Sequence, residues 1–240
     1  LILADLGVAE RRIERLDKDL KKVHTAELKQ ERDLVERCRE ALEHGRPLRA
    51  LELTGDDLKR LRGFQFLSAK PLLLVINLEE GDVATVGASI EKAAAHTGLT
   101  AFLARAATRA VALCATIELE IGQLEPAEAT AFLADLGLAD SGLDRVIRAT
   151  YDLLGLIVFF TVGPDEVRAW TVEKGTPAQQ AAGAVHSDME RGFIRAEVIR
   201  WDDLLRCGSE AAAKREGVMR IEGKGYPVQD GEVVHFLFNV

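Results

Sequence analysis

The sequence predicts an α/β segment followed by an α+β segment, with a helical coiled-coil hairpin in front of both. Three observations carry this. Between residues 2 and 42, apolar side chains recur at alternating steps of four and three. Two continuous apolar runs, 71–76 and 110–114, each lead through polar residues into helical patterns, as buried parallel strands do. Beyond residue 166, short β-type runs are separated by turn signals around one helical stretch.

The hairpin is read from Ile2, Leu6, Ala9, Ile13, Leu16, Leu20 and Val23, a period of about 3.5 residues that suits a helix–helix seam. The pattern slips at His24 and Thr25 and resumes at Leu28, Val35, Cys38 and Leu42, so two antiparallel helices are expected, ended by Gly45 and Pro47. Thr54 with Asp57 three residues on predicts a capping box opening a short helix through Arg62. The strand at 71–76 is expected to be buried on both faces, with a helix near 88–96, the second strand at 110–114, a helical pattern at Ile117, Ile121 and Leu124, and a helix at 143–154. In the last segment, strands are expected at 167–172, 196–199, 218–222 and 233–238, with a helix at 178–186. No internal repeat or low-complexity linker is visible.

Composition narrows the function classes. The 240 residues are 48% hydrophobic and 29% charged, the profile of a soluble globular protein. The longest apolar run, 153–162, is broken by Gly155 and falls short of the roughly 18–20 residues of a membrane span, so no membrane role is expected. Leu1 opens directly into a charged helix pattern, so no signal peptide is expected, and the absence of Met leads us to expect a piece of a longer protein. Three widely spaced cysteines, Cys38, Cys114 and Cys207, form no paired zinc motif and read as free thiols in a reducing cytoplasm. His186 and His235 have no ligand-spaced partners and are assigned structural roles, and no metal site is expected. The net charge of −8 divides as +1 over residues 1–66, −6 over 67–155 and −3 over 156–240, so any RNA contact must come from a local basic patch.

Two short motifs follow the two buried strands. Asn77-Leu78-Glu79-Glu80 sits at the carboxyl end of the first, where ligands bind in open α/β sheets. Cys114-Ala115-Thr116-Ile117-Glu118 follows the second. Taken alone, a polar tetrapeptide after a strand reads as a loop. No G-x-x-x-x-G-K-[ST] phosphate-binding loop occurs in these residues: Gly223-Lys224-Gly225 lies in a turn, and Asp152 with Gly155 matches D-x-x-G within a helical run.

Residues 159–240 carry a dense series of motifs: Gly163-Pro164 with Arg168-Ala169-Trp170, then His186-Ser187-Asp188, Arg191-Gly192-Phe193-Ile194-Arg195-Ala196-Glu197, Asp230-Gly231, and His235-Phe236 with Phe238-Asn239-Val240. In this order and spacing they closely resemble the C-terminal TGS domain of the YchF (Obg-like) ATPases, and the upstream residues resemble the same family. The resemblance implies a helical coiled-coil arm at 1–66, the C-terminal half of a P-loop NTPase α/β domain at 67–153, and a β-grasp TGS domain at 154–240. It implies that Asn77-x-x-Glu80 stands where GTPases carry Asn-Lys-x-Asp. Because adenine offers an acceptor at N1, a guanine-reading carboxylate has nothing to accept there, and ATP preference over GTP is implied, with the Asn77 side chain and the Leu78 backbone around the base. Cys114-Ala115 would close over the base through backbone N–H groups. The resemblance further implies ATP hydrolysis in the family with Mg²⁺, and puts the P-loop, the metal ligands and the catalytic group ahead of the arm, so no catalytic residue is expected in this chain. The implied partner is the ribosome or ribosomal RNA, not DNA, met by a monomer in the cytoplasm, with Lys174, Arg191, Arg195 and Lys224 as candidate contacts. Arg191 and Arg195 could instead pair with Asp188 and Glu197 and only hold the fold. The alternative functions are a non-catalytic ribosome- or RNA-binding module, or a coiled-coil scaffold.

Overall fold

The heptad pattern folds as two helices, α1 (Ile2–Leu20) and α2 (Ala26–Glu43). The computed structural model describes residues 1–163 and 165–239; Pro164 and Val240, which fall within two of the quoted motifs, lie outside the described residues. The chain divides into two compact units, Leu1–Leu153 and Leu154–Val240.

In the first unit, α1 and α2 pack antiparallel through Ala9, Ile13, Leu16, Leu34, Val35, Cys38 and Leu42. The Thr25 hydroxyl accepts from Leu28 N–H (3.3 Å) and starts α2. Arg12 donates to Glu31 at 2.8 Å, and Arg32 to Asp17 at 3.3 Å, across the outside of the pair. Such exposed pairs are worth about 0–1 kcal/mol each, so apolar burial does most of the holding. Val23, expected in the seam, is 57% exposed: it sits in the connecting turn, beyond the reach of the partner helix. The apolar seam also continues past the helices, because Leu48, Leu61 and Phe66 bury against the same cluster. Leu48 belongs to a 3₁₀ turn, Leu48–Ala50; Leu61 ends α3 (Gly55–Leu61), whose Thr54–Asp57 capping box forms in both directions; and Phe66 precedes a second 3₁₀ turn, Leu67–Ala69.

The base of the hairpin is fastened by one carboxylate. Asp5 is 3% exposed and accepts from Leu67 N–H (2.9 Å) and Ser68 N–H (2.6 Å). Ser68 Oγ in turn accepts from Leu48 N–H (3.3 Å). Three chain segments distant in sequence thus share one set of buried polar contacts.

Next comes β1 (Leu72–Asn77), then α4 (Glu80–Val86), α5 (Ile90–Thr97) and α6 (Thr100–Leu103), then β2 (Thr108–Leu113), α7 (Ala115–Ile121), α8 (Pro126–Asp135) and α9 (Gly142–Leu154). The two strands form a parallel two-stranded sheet in which Leu72 faces Thr108 and Asn77 faces Leu113. The expected burial of the first strand on both faces does not hold: Ile76 is buried against Ala93 and Ala94 of α5, but Val75, whose side chain points to the opposite face, is 50% exposed. The single helix expected near 88–96 is α5, preceded by α4, a separate short helix that begins at Glu80 itself.

The second unit is a mixed five-stranded sheet built from β3 (Leu156–Val162), β4 (Val167–Glu173), β5 (Phe193–Arg200), β6 (Arg220–Glu222) and β7 (Glu232–Phe238), in the order β4-β3-β7-β5-β6. The β3–β7 pair is parallel and the others antiparallel. β3 is a strand the sequence reading did not assign: a continuous apolar run fits a buried helix turn and a strand equally well. α10 (Ala178–Val185) lays Ala178, Ala181 and Ala182 on one sheet face, over Phe159, Val198, Val234 and Phe236, with α11 (Ser187–Arg191) following it. α12 (Trp201–Cys207) and α13 (Glu210–Glu216, through its buried Ala213) cover Ile199 and Val233, which alternate onto the other face.

The Asp230-Gly231 motif closes this sheet. Asp230 Oδ1 accepts from Val158 N–H (2.8 Å), and Gly231 N–H donates to Val158 O (2.8 Å). Gly231 has φ +74°, and a Cβ there would come within 2.9 Å of the Trp201 ring, so both backbone and space require glycine. Nearby, Glu232, 1% exposed, accepts from Tyr226 OH (2.6 Å), Arg220 Nη2 (2.5 Å) and Gln229 N–H (2.9 Å).

Two outcomes follow. Asp5→Ala leaves two backbone donors without their acceptor and is expected to cost about 1.5–3 kcal/mol, read as a lower urea midpoint by circular dichroism. A shift within error of zero would mean that water serves those amides equally well. Burial, and then the bond to Glu232, push the Tyr226 phenol up to about 12. A raised acid holds its proton in the folded state, so its contribution is complete below the ordinary phenol value of 10.0 and is lost as pH rises through about 12. A phenolate absorbance titration should therefore show a late step that disappears in Tyr226→Phe; persistence of that step in the variant would assign it elsewhere.

Candidate functional site at the carboxyl ends of the parallel strands

Parallel pairing in register brings the ends of β1 and β2 side by side, and with them the two motifs singled out from the sequence. Asn77 is exposed at the last position of β1, and its Oδ1 accepts from Ala115 N–H at 2.9 Å. Ala115 is the first residue of α7, where a backbone donor has no intrahelical partner, so the carboxamide caps this helix from the neighbouring strand. With Oδ1 engaged, the Nδ2 group of Asn77 points its chemistry outward as a donor.

Two backbone donors expected near the base are already engaged within the fold. Leu78 N–H donates to Leu113 O (2.8 Å), extending the sheet by one residue, and the Leu78 side chain is 4% exposed among Ile76, Val86 and Ala93. Only its carbonyl remains for a ligand. The Ala115 N–H, expected to meet the base, is taken by Asn77; the first-turn donors left without intrahelical acceptors are those of Thr116 and Ile117. Cys114 is 4% exposed and lines the apolar floor of the site with Val83, Ile117 and Leu138. Glu80 is exposed at the start of α4, where its charge meets the positive end of that helix.

Glu118 and Arg145 support these loops and were not assigned as site residues. Glu118 accepts from Gly142 N–H (2.7 Å) through Oε1 and from Leu143 N–H (3.1 Å) through Oε2, capping α9 from α7. Arg145, on α9, donates to Asp140 O (2.5 Å) and to Ala112 O (3.0 Å) of β2. The signal that could have found Glu118 was present, an acid three residues after Ala115, but its acceptor role depends on Gly142, 24 residues on. The void enclosed beneath the loops is about 10 Å³, room for one water at most, so a ligand would lie over the strand ends rather than within. Among the described residues no three of His, Cys, Asp and Glu converge to hold a metal ion.

The four candidate cations lie in the second unit, in the turn after β4, in α11, on β5 and in the turn after β6. Lys174 and Lys224 are exposed in turns after β4 and β6. The backbones of these turns run past each other: Ala178 N–H donates to Tyr226 O (2.8 Å) and Gln179 N–H to Lys224 O (3.3 Å). Arg191 is paired with Asp188, which holds that carboxyl below its usual range. Arg195 is exposed on β5 and makes no ion pair among the described residues. Its expected competitor, Glu197, is held by Lys214 Nζ at 2.7 Å, and that bond lowers the Glu197 carboxyl. Arg191 thus makes the pair that the fold-holding alternative describes, while Glu197 is paired with Lys214 and also feels the charge of Arg195.

A family model for the YchF-GTPase C-terminal region, described as a protein of unknown function (DUF933), matches residues 156–239. The "Ribosome-binding ATPase YchF" of Bacillus subtilis is 43% identical over 240 residues, covering 100% of this chain and 64% of that protein. The "Obg-like ATPase 1" of Oryza sativa is 36% identical over 248 residues, covering 100% of this chain and 60% of that protein. Among solved structures, the Schizosaccharomyces pombe YchF GTPase superposes with a TM-score of 0.79 at 26% identity, covering 98% of this chain and 63% of that one. The chain therefore spans less than two thirds of the length of the curated relatives it matches.

Gly142 offers a test of the loop support. A Cβ there would lie 2.7 Å from both Glu118 Oε1 and Leu113 Cβ. Gly142→Ala should cost about 1–3 kcal/mol in urea unfolding, because the crowding falls on a cap and on a strand atom. A neutral effect would show that the α9 start is free to move away.

Proposed function

We propose, from the premise that this chain belongs to the YchF (Obg-like) family, that it supplies the base-recognising side of an adenine-nucleotide site together with a ribosome-facing surface. The observation that carries it is the Asn77 carboxamide bridging to Ala115 N–H at the carboxyl ends of two parallel strands, where α/β sheets take their ligands. The oriented Asn77 Nδ2 donor suits N7 of a purine. The Leu78 carbonyl, its N–H already used, suits the N6 amino donor of adenine and repels the O6 acceptor of guanine. Glu80 in place of the shorter Asp withdraws the carboxylate that the N1 and N2 donors of guanine would need. In this division of labour, residues 1–66 form the helical arm, 67–153 the α/β half-domain, and 154–240 a β-grasp TGS domain; the sheet order of the second unit, with its central parallel pair, supports the last assignment.

ATP hydrolysis belongs to this proposal only for the longer relatives. Phosphoryl transfer works by positioning and charge stabilisation, and these 240 residues hold no G-x-x-x-x-G-K-[ST] sequence to cradle the phosphates. We assign the chain by itself no turnover. The non-catalytic ribosome- or RNA-binding module stays the second function. In either case the cytoplasm is the compartment, and Lys174, Arg191, Arg195 and Lys224 are contacts, of which only Arg191 is held in an ion pair among the described residues.

Base contacts alone are a few hydrogen bonds of about 0.5–1.5 kcal/mol each, so nucleotide affinity should be about millimolar or weaker. In amide NMR spectra of the chain, ATP should shift Asn77 Nδ2–H and the Leu78–Glu79 amides more than GTP does; equal shifts from both, or none, would remove the adenine assignment. For the partner surface, the chain should sediment with ribosomes, and replacing all four cations by Glu should release it at lower salt. Sedimentation of the folded variant across the whole salt series as strong as that of the parent would remove these four residues from the interface.

A further inference from the structure

We propose that the corner framed by Arg49 and Arg105, at the end of the β1–β2 sheet opposite the candidate base site, is a phosphate-binding site that takes the phosphodiester backbone of RNA. It deepens the ribosome-facing part of the proposed function and rests on that part alone.

The corner is built by backbone contacts. Arg49, in the Leu48–Ala50 turn, donates from Nη1 to Ser68 O (3.3 Å). Ser68 lies just ahead of β1, whose first amide, Leu72 N–H, donates to Ala107 O (2.9 Å). Arg105 stands two residues before Ala107, with its guanidinium 4.1 Å above the Phe102 ring. Lys70 and Arg109, both exposed, flank the same junction.

Three features point to an anion. The Arg49 Nε is buried with no hydrogen-bond partner, and buried guanidinium donors without acceptors are costly unless something fills the place. The charge environment is one-sided: residues 58–78 and 92–117 contain no Asp or Glu, although the chain has 39 acidic residues. The Arg49 guanidinium is correspondingly shifted down, first by burial and then by the positive charge of Arg105. Asp5, the carboxylate beside Ser68, has its oxygens committed to the Leu67 and Ser68 amides. Finally, Gln65 (φ 51°) and Ala107 (φ 47°) are the non-glycine residues with left-handed backbone among the described residues, and both lie in the loops that frame this corner. Strain of that kind collects at ligand sites. Two planar guanidinium forks, one stacked on an aromatic ring, match a tetrahedral phosphate better than a single charge does.

The test is anisotropy of a labelled oligouridylate titrated with the chain from about 50 to 200 mM salt. The slope of log affinity against log salt should become shallower by about 1.4 in the Arg49→Gln, Arg105→Gln double variant, at about 0.7 per lost contact. Arg105→Gln alone, at an exposed position, should lose about half of that and guards against misfolding of the double variant. Inorganic phosphate at constant ionic strength should displace RNA from the parent more readily than from the double variant. Equal slopes in parent and variants, with phosphate acting equally on both, would overturn the site, leaving a water on Nε. Phosphate binding lost in the variants with RNA slopes unchanged would overturn the RNA assignment. If the parent sediments with ribosomes while all slopes coincide, this corner fails and the ribosome-facing function stands; if the parent binds neither ribosomes nor RNA, that function fails first.

Discussion

Loop backbone amides in this molecule are held by side-chain oxygens reaching from elsewhere in the sequence, and the placement of the candidate site depends on this. A parallel pair of strands with only one shared edge has little rigidity of its own. Asn77 claims the first amide of α7, Glu118 the first amides of α9, and Arg145 a carbonyl of β2. Each would otherwise be an orphan at a helix start or strand end. The same device recurs at the base of the hairpin with Asp5 and in the second unit with Asp230 and Glu232. A loop fixed by one such contact has a defined set of unused groups, which is what a recognition site requires. At the strand ends the unused groups are the Asn77 Nδ2 and the Leu78 carbonyl.

How much of this was legible in the sequence depended on the range over which each signal acts. The hairpin was, because Ile13, Leu16, Cys38 and Leu42 repeat with the helix period and the seam is made by that repeat. The Thr54–Asp57 capping box was, because both partners lie within one turn. Val23 was not: periodicity cannot tell a seam position from a turn position that happens to be apolar. The start of α4 at Glu80 was hidden because its N-cap, Glu79, is not one of the strong capping residues and the helix is only 7 residues long. At the candidate site, the sequence indicated which residues come together but not which of their atoms are already engaged. The Asn77–Ala115 bond spans 38 residues, and nothing local announces that it consumes the amide expected to meet a ligand.

Charge is organised on the same principle of local pairing against a net deficit of cations. Many of the basic side chains are matched within one or two turns, as Arg39 is by Glu36 and Arg206 by Asp203 and Glu216. Pairs of this kind at the surface add little stability and are weakened by salt. Arg195 on β5 and the pair Arg49 and Arg105 are among the cations that make no ion pair among the described residues, in a chain of net charge −8.

Trp170 and Trp201 are the two tryptophans of the chain, and both belong to the second unit. The Trp170 indole N–H donates to Thr161 Oγ1 (2.9 Å) across the β3–β4 pair, and the Trp201 ring covers Gly231 beside the Asp230 contact. Intrinsic fluorescence is therefore a built-in reporter of one half of the molecule. Its emission should follow the opening of the sheet around β3, β4 and β7. The hairpin and the strands that carry Asn77 contain no tryptophan of their own. A fluorescence melt and a far-ultraviolet dichroism melt recorded on the same sample would thus separate the two units spectroscopically without an added label.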